Sequence, residues 1–568
     1  MKYIFKPTKN YFLSAVILLV LASACSENVL KETPLDFLAP ENAYNTVPGI
    51  QQGISGLHFS VRDYWYNGDE QYPILYGNGT DIAFHGENPG GNVKLANYQI
   101  EMIPQNVVFN AFWDRNYSLI QRANVLIDRI KASDKTIWTS DAQRNAYLAE
   151  AMFFRAYAYR MLVIFYGDVP LVTEPTKTVK TDYVRAPKAD IYKLMEEDLT
   201  FGVTNLPVRG KEEAPGRITQ GAAGHFLSEC YLAQGKYQQT VDAASKVIDT
   251  NGYALMTQRF GTTRDVFGKG DVLLDLFAYG NQNLATNKEA IWVIQFEPII
   301  TGGSQFPGDR AWGPAYFRMG NTPDGKTAFR GELYNGAYTG YSDTIGRPVS
   351  WVRPTNFSAY TIWKSDWKND IRNAEHHIKR NFYYDNPASA YNKKKINFAL
   401  YPKGTRDALK DTCQYIYPYF LKQSDPLHHF TEPNRSGGGW THKDVYAARL
   451  AETILIRAEA YIGLGKKDLA AADINAVRTR AKATPVDPSK VDIDYLLDER
   501  ARELFAEEWR PLTLRRSGKL LERVRKYCNN PIFPACNIQD YNVLFPIPQK
   551  QIDLNIDAKI EQNPGYAK

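Results

Sequence analysis

TQGAAGHFLSECYLAQGKYQQTVDAASKVID at residues 219–249 and RLAETILIRAEAYIGLGKKDLAAADINAVRT at 449–479 are the stretches on which the fold turns. They align at a constant offset of 230 residues, so that Glu229, Tyr231, Gly235, Lys236 and Val247 meet Glu459, Tyr461, Gly465, Lys466 and Val477. Each stretch reads as a helix, a Gly-Lys turn and a second helix. Small residues at the crossing positions let paired helices approach closely: Ala222, Ala223, Ala243 and Ala244 in one, Ala458, Ala471 and Ala472 in the other. This is the pattern of a tetratricopeptide hairpin. One hairpin cannot bury its own apolar face, so several must stack, and hairpins this far apart in the chain must meet in space. The expected fold class is mainly α: a tetratricopeptide-like helical-hairpin scaffold built from both chain ends, with a large irregular α/loop insertion carrying the ligand surface.

Further helices are expected upstream. Residues 106–132 carry Val107, Phe109, Leu119, Ile120, Ala123, Leu126, Ile127 and Ile130 near helical spacing. Ser140 can cap the next helix, which runs to Tyr166 and ends at Gly167 and Pro170. A third spans 189–205. Residues 251–440 differ, being rich in Gly, Asn, Tyr, Trp and Pro. Only short pieces there look regular, strand-like at 290–297 and 397–401 and helical at 361–378. Long irregular insertions are where binding function tends to sit. The expected division is a leader at 1–24, a tether at 25–40, an N-terminal helical region at 41–250, the insertion at 251–440 and a C-terminal helical region at 441–568.

The leader has three lysines, Lys2, Lys6 and Lys9, followed by an apolar run from Tyr11 to Leu21. That run is too short to span a bilayer, which takes ~20 apolar residues, and fits a secretory signal. It ends in Leu21-Ala-Ser-Ala-Cys25, which resembles a bacterial lipobox; the alternative is an ordinary signal with a chance cysteine. The resemblance implies cleavage before Cys25 and its diacylation. Beyond the leader, 65 basic residues against 62 acidic ones leave a net charge of +3. Such a balance gives no electrostatic footprint for nucleic acid. Cys528 and Cys536 flank a short loop and could pair in an oxidising compartment, while Cys230 reads as a buried thiol.

Motifs along nearly the whole chain resemble the SusD/RagB family of Bacteroidetes outer-membrane nutrient-binding lipoproteins. After the lipobox come RANVLIDRI at 122–130 and AEAMFFRAYAYRMLVIFYGDVPL at 149–171. RPTN at 353–356 and NDIR at 369–372 lie in the insertion. INAVRTRA at 474–481, LLDERARELFAEEWRPLTLRRSGKL at 496–520, LFPIP at 544–548 and QNPGY at 562–566 complete the series. The resemblance implies a surface-exposed, lipid-anchored outer-membrane protein, with no enzymatic activity and no cofactor. It would capture oligosaccharide as a lid over a SusC-like TonB-dependent transporter.

Sugar rings present apolar faces that stack on flat side chains, and planar polar groups bond their hydroxyls. Aromatics are plentiful, with 37 Tyr, 27 Phe and 10 Trp. Relatives carry binding residues in a loop before the RANVL helix, which here points to Asp81, Phe84, His85 and Asn88. Trp312, Tyr316 and Trp351 are the best stacking candidates in the insertion, with Trp440 behind them. Trp113, Trp138, Trp292 and Trp509 read as core, as do Trp363 and Trp367. No metal site is expected: His376-His377, His428-His429 and His442 match no zinc spacing, and neighbouring histidines should diverge. Arg500, Arg502, Arg510, Arg515 and Arg516 should pair internally with Glu499, Glu503, Glu507 and Glu508. Two rival readings stay open, a peptide-capturing RagB-like lid and a surface glycoside hydrolase. The latter needs two carboxyls ~5–10 Å apart across a cleft.

Overall fold

The computed structural model describes residues 43–67, 75–86, 97–250, 252–297, 300–330, 345–397, 414–430, 440–531 and 533–566, with short strand pieces between 333 and 338. Cys25 and Asn88 lie outside the described residues, so the expectations placed on them are neither met nor refuted.

Helices dominate. The N-terminal part supplies α1 (Val47–Val61), α2 (Val107–Ala132), α3 (Asp141–Tyr166), α4 (Lys188–Asn205), α5 (Gln220–Ala233) and α6 (Tyr237–Thr250). The C-terminal part adds α7 (Leu450–Gly463), α8 (Lys467–Arg480), α9 (Ile493–Glu503), α10 (Arg510–Arg516) and α11 (Leu520–Tyr527). Side chains start several of these helices, Ser140 as the sequence predicts and Thr219 besides. Ser140 accepts from Gln143 N at 3.1 Å, and Thr219 from Ala222 N at 3.3 Å. Each such cap contributes about 1 kcal/mol by satisfying an otherwise orphaned donor.

The two quoted hairpins end their first helices alike. Gly235 and Gly465 adopt φ of 70° and 73°, a left-handed conformation that costs glycine nothing. Lys236 N then reaches Tyr231 O at 3.0 Å and Lys466 N reaches Tyr461 O at 2.8 Å, a Schellman closure in both. From α2 to α8 each helix packs on the next, and the junction of α6 with α7 joins the two halves of the chain. The approach there is close: a Cβ on Gly463 would lie 2.6 Å from the Tyr237 ring. The distant hairpins thus meet as one stack. α3 is buried along most of its length because α1, α2, α4 and α10 surround it. The LFPIP stretch closes the same region, with the Phe545 ring stacked 4.5 Å from Phe165.

Short strands position the insertion, among them β1 (Ala83–His85), β2 (Ala290–Ile294), β3 (Val352–Pro354), β4 (His429–Phe430), β5 (Trp440–Thr441) and β6 (Val445–Arg449). β2 and β6 pair antiparallel immediately before α7, so the chain returning from the insertion is tied to an earlier part of it. Behind this pair lies a buried ionic cluster. Arg449 and Arg480 each reach Glu289 at 2.6 Å, and both also contact Glu503, which accepts from Arg372 at 2.9 Å. Burial of Glu503 opposes its charge, but Arg480, Arg449 and Arg372 outweigh that and hold its carboxyl well below the usual range. The expected internal pairing holds for Arg500 with Glu508, Arg502 with Glu499 and Arg510 with Glu508. It fails for two others. Arg516 pairs with Glu459, and Arg515 donates to the Val543 carbonyl.

Trp113, Trp138, Trp292, Trp363 and Trp509 are buried as expected, but Trp367 is 45% exposed. The predicted helix at 361–378 is absent. Two 3-10 turns, Thr361–Asp366 and Ile371–Asn373, take its place. The reason is local: Asp370 bonds the Arg372 N–H at 3.0 Å and its guanidinium, an alternative to helical hydrogen bonding. Cys230 is a buried free thiol. Cys528 and Cys536 are unlinked, with their sulfur atoms 2.9 Å apart.

Candidate functional site

Asp81, the first residue expected to meet ligand, lies fully inside. Arg510 grips both its oxygens at 2.9 and 2.6 Å, and Arg523 adds a bond at 2.7 Å. Burial would raise its pKa, but the two guanidiniums hold it below the ordinary value. Asp81 therefore anchors the N-terminal segment to α10 and α11. Phe84 and His85 sit in β1, buried by pairing with β3. The Phe84 ring lies under the Arg353 guanidinium at 4.9 Å. Trp312 is fully buried, its ring 4.7 Å from Phe505. Tyr316 donates its hydroxyl to Gly346 O at 2.8 Å and packs on Phe329. None of these five side chains offers an open face, which corrects the expectation that they form a solvent-facing platform.

Trp351 and Trp440 behave differently, being only partly covered. Their rings meet edge to face, 6.1 Å apart at 71°. Arg310 sits over both, 5.2 Å from Trp351 and 5.1 Å from Trp440. Backbone bonds set this geometry. Arg310 belongs to a short helix, Gly308–Trp312, and its carbonyl accepts from Val349 N at 2.8 Å. Ser350 N reaches Gly313 O at 2.9 Å, with Ser350 held at φ 68°, a conformation uncommon outside glycine. Trp351 follows directly. On the other side β5 is clamped between two neighbours. Thr441 pairs with His429 of β4 and exchanges two backbone bonds with Phe306 at 2.8 and 3.1 Å.

The start of β4 carries a second aromatic pair. Tyr279 and His428 stack face to face at 4.0 Å and 15°, and Tyr279 is 38% exposed. Asp425, 2.7 Å from His428 Nδ1, raises the imidazole pKa. A third exposed patch holds Tyr360 and Trp367, with Arg380 5.5 and 4.8 Å from their rings. Tyr279, Arg310 and Tyr360 were not singled out from the sequence, and His428 was weighed there only as a metal ligand. The signal available for Trp367 was its setting, since Lys364, Lys368 and Asn369 crowd around it. A cleft of about 610 Å³ opens elsewhere, against α2 and residues 170–183, where Trp113, Tyr117 and Tyr183 contribute to its wall.

His376 and His377 do not diverge, because both Nε2 atoms lie against Asp271 Oδ2, at 2.9 and 2.8 Å.

The SusD family model matches residues 288–566, and a model described as starch-binding associating with outer membrane matches 78–232. The chain belongs to the SusD family. SusD-like protein P25 of Formosa agariphila is 24% identical over 563 residues, covering 95% of this chain and 96% of that protein. Among solved structures, a laminarin-binding SusD-like protein superposes with a TM-score of 0.66 at 22% identity, covering 92% of this chain and all 100% of that one. NanU of B. fragilis gives 0.65 at 19% identity, covering 94% of this chain and 100% of its own. These likenesses establish the SusD-like fold, with its helical scaffold and irregular insertion.

Proposed function

We propose that this SusD-family protein captures oligosaccharide at the Trp351–Trp440–Arg310 cluster and passes it to a SusC-like TonB-dependent transporter, held at the outer-membrane surface by lipid on Cys25. The observation carrying the reading is the pair of partly exposed indole rings. A sugar's apolar face can lie on the free part of an indole while a guanidinium donates to neighbouring hydroxyls. The stacked Tyr279 and His428 stand next to β4, the strand that pairs with Trp440 in β5. The laminarin-binding structure and surface glycan-binding protein A of Bacteroides uniformis, which superposes with a TM-score of 0.62, support a glycan ligand. The protein acts as a binder, and ligand leaves it unaltered.

Affinity electrophoresis in gels containing laminarin, starch and other polysaccharides tests this. At least one glycan should retard the mature protein, and Trp351→Ala with Trp440→Ala should restore its mobility. Migration unchanged by every polysaccharide tried would refute capture. Retardation that survives both substitutions would move the site, with the cleft at Trp113 and Tyr183 the next place to look.

A further inference from the structure

We infer that Asp271, His376 and His377 form a binding site for a divalent transition-metal ion. One ligand atom from each of the three lies within 4.8 Å of the others. Two imidazole nitrogens and a carboxylate oxygen are a donor set suited to zinc and its neighbours. Both Nε2 atoms face the same oxygen, Oδ2, at 2.9 and 2.8 Å. With metal bonds of about 2.0–2.1 Å, ligand atoms around a tetrahedral ion stand about 3.3 Å apart. The carboxylate oxygen would therefore draw back from each imidazole by only about half an ångström to admit one.

The carboxylate is already oriented for the task. Asp271 caps a short helix, and its Oδ1 accepts from Leu273 N at 3.0 Å and Leu274 N at 3.1 Å. Those bonds fix the carboxylate so that Oδ2 meets both imidazoles, while His377 Nε2 also lies 3.0 Å from Oδ1. Outer contacts of this kind fix a ligand's orientation. The histidines are placed by a tight turn, with His377 N and Ile378 N both reaching Ala374 O at 2.9 Å. That turn lets sequence neighbours aim at one point. A separate contact holds the two segments together, with Lys379 Nζ 4.2 Å from the ring of Phe267. The site remains open enough to load: the Asp271, His376 and His377 side chains keep 19%, 14% and 9% of their surface accessible. Each imidazole binds as the neutral form, through the Nε2 lone pair, with its remaining proton on Nδ1. Three protein ligands leave a position for water. A bound ion would pin the loop at 267–271 to the turn at 374–378 inside the insertion.

The test is titration of the untagged mature protein with Co²⁺, followed by its visible absorption, and with Zn²⁺ by calorimetry. One ion per chain should bind, with intense d–d bands showing a four- or five-coordinate site. His376→Ala should weaken binding at least about tenfold and remove those bands. Asp271→Asn, which keeps an acceptor for the helix cap and so guards against misfolding, should do the same. His58→Ala, at a histidine that pairs with Glu150 outside the cluster, should leave the affinity for the ion unchanged. Binding that is equally tight in His376→Ala and Asp271→Asn, or no stoichiometric binding at all, would overturn the assignment.

Discussion

Trp312 and Trp440 both come from glycine-rich, polar stretches of the insertion, yet they end in opposite environments. Trp312 is sealed against Phe505, which itself stacks on Phe420 at 3.7 Å. Trp440 heads a two-residue strand and stays partly open beside Trp351 and Arg310. The difference comes from the partner, since flanking composition is similar in both. Phe505 follows α9, and the C-terminal scaffold reaches into the insertion wherever it has apolar or charged surface to satisfy. The same scaffold takes Asp81, whose partners Arg510 and Arg523 lie more than 400 residues away in sequence.

The sharpest way to break this contrast is Asp81→Asn. It removes the carboxylate that Arg510 and Arg523 share and leaves them Glu508, Asp494 and Asp498, a change that costs about 3 kcal/mol. The urea midpoint should fall accordingly, and a drop within the range of surface variants would show that Asp81 is not an anchor. A smaller effect is expected at Lys443, which lies between β5 and β6. Burial pushes its ammonium down to about 7. The folded form then binds fewer protons than the unfolded one between about pH 7 and the ordinary lysine value near 10.4. Stability from this group therefore rises with pH across that window. Lys443→Met should flatten the rise, by on the order of 2 kcal/mol, in denaturant titrations at pH 7 and 9.5. A slope identical to that of the parent protein would contradict the assignment. The smallest effect belongs to Trp367→Ala. An exposed ring resting on Arg380 contributes ~0.5 kcal/mol or less, so the thermal midpoint should hardly move. A large loss there would mean that Trp367 is core, as its spacing from Trp363 suggested.

Much of the scaffold is legible in the sequence because its signals are local and repeated. The Gly-Lys turns at 235–236 and 465–466, the Ser140 cap and the alanines at helix crossings each act within a few residues. The site is less legible because exposure is decided by distant partners. Ile82, Ala83 and Phe84 around Asp81 form an apolar run that already hinted at burial. The C-terminal arginines looked matched by nearby carboxylates, so nothing in the sequence pointed Arg510 and Arg523 toward Asp81. Trp351 owes its position to backbone bonds from Val349 and Ser350 and to a left-handed serine, features that no periodicity announces. His376 and His377 converge through a turn where the sequence suggested a helix.

Calorimetry of Trp440→Ala against a polysaccharide that the parent protein binds tests glycan capture at the indole pair most directly. Losing a central indole at a desolvated contact costs about 2 kcal/mol or more. The dissociation constant should therefore rise roughly 30-fold while the thermal midpoint stays close to that of the parent. An unchanged dissociation constant, in this variant and in the Trp351→Ala Trp440→Ala pair, would contradict the account.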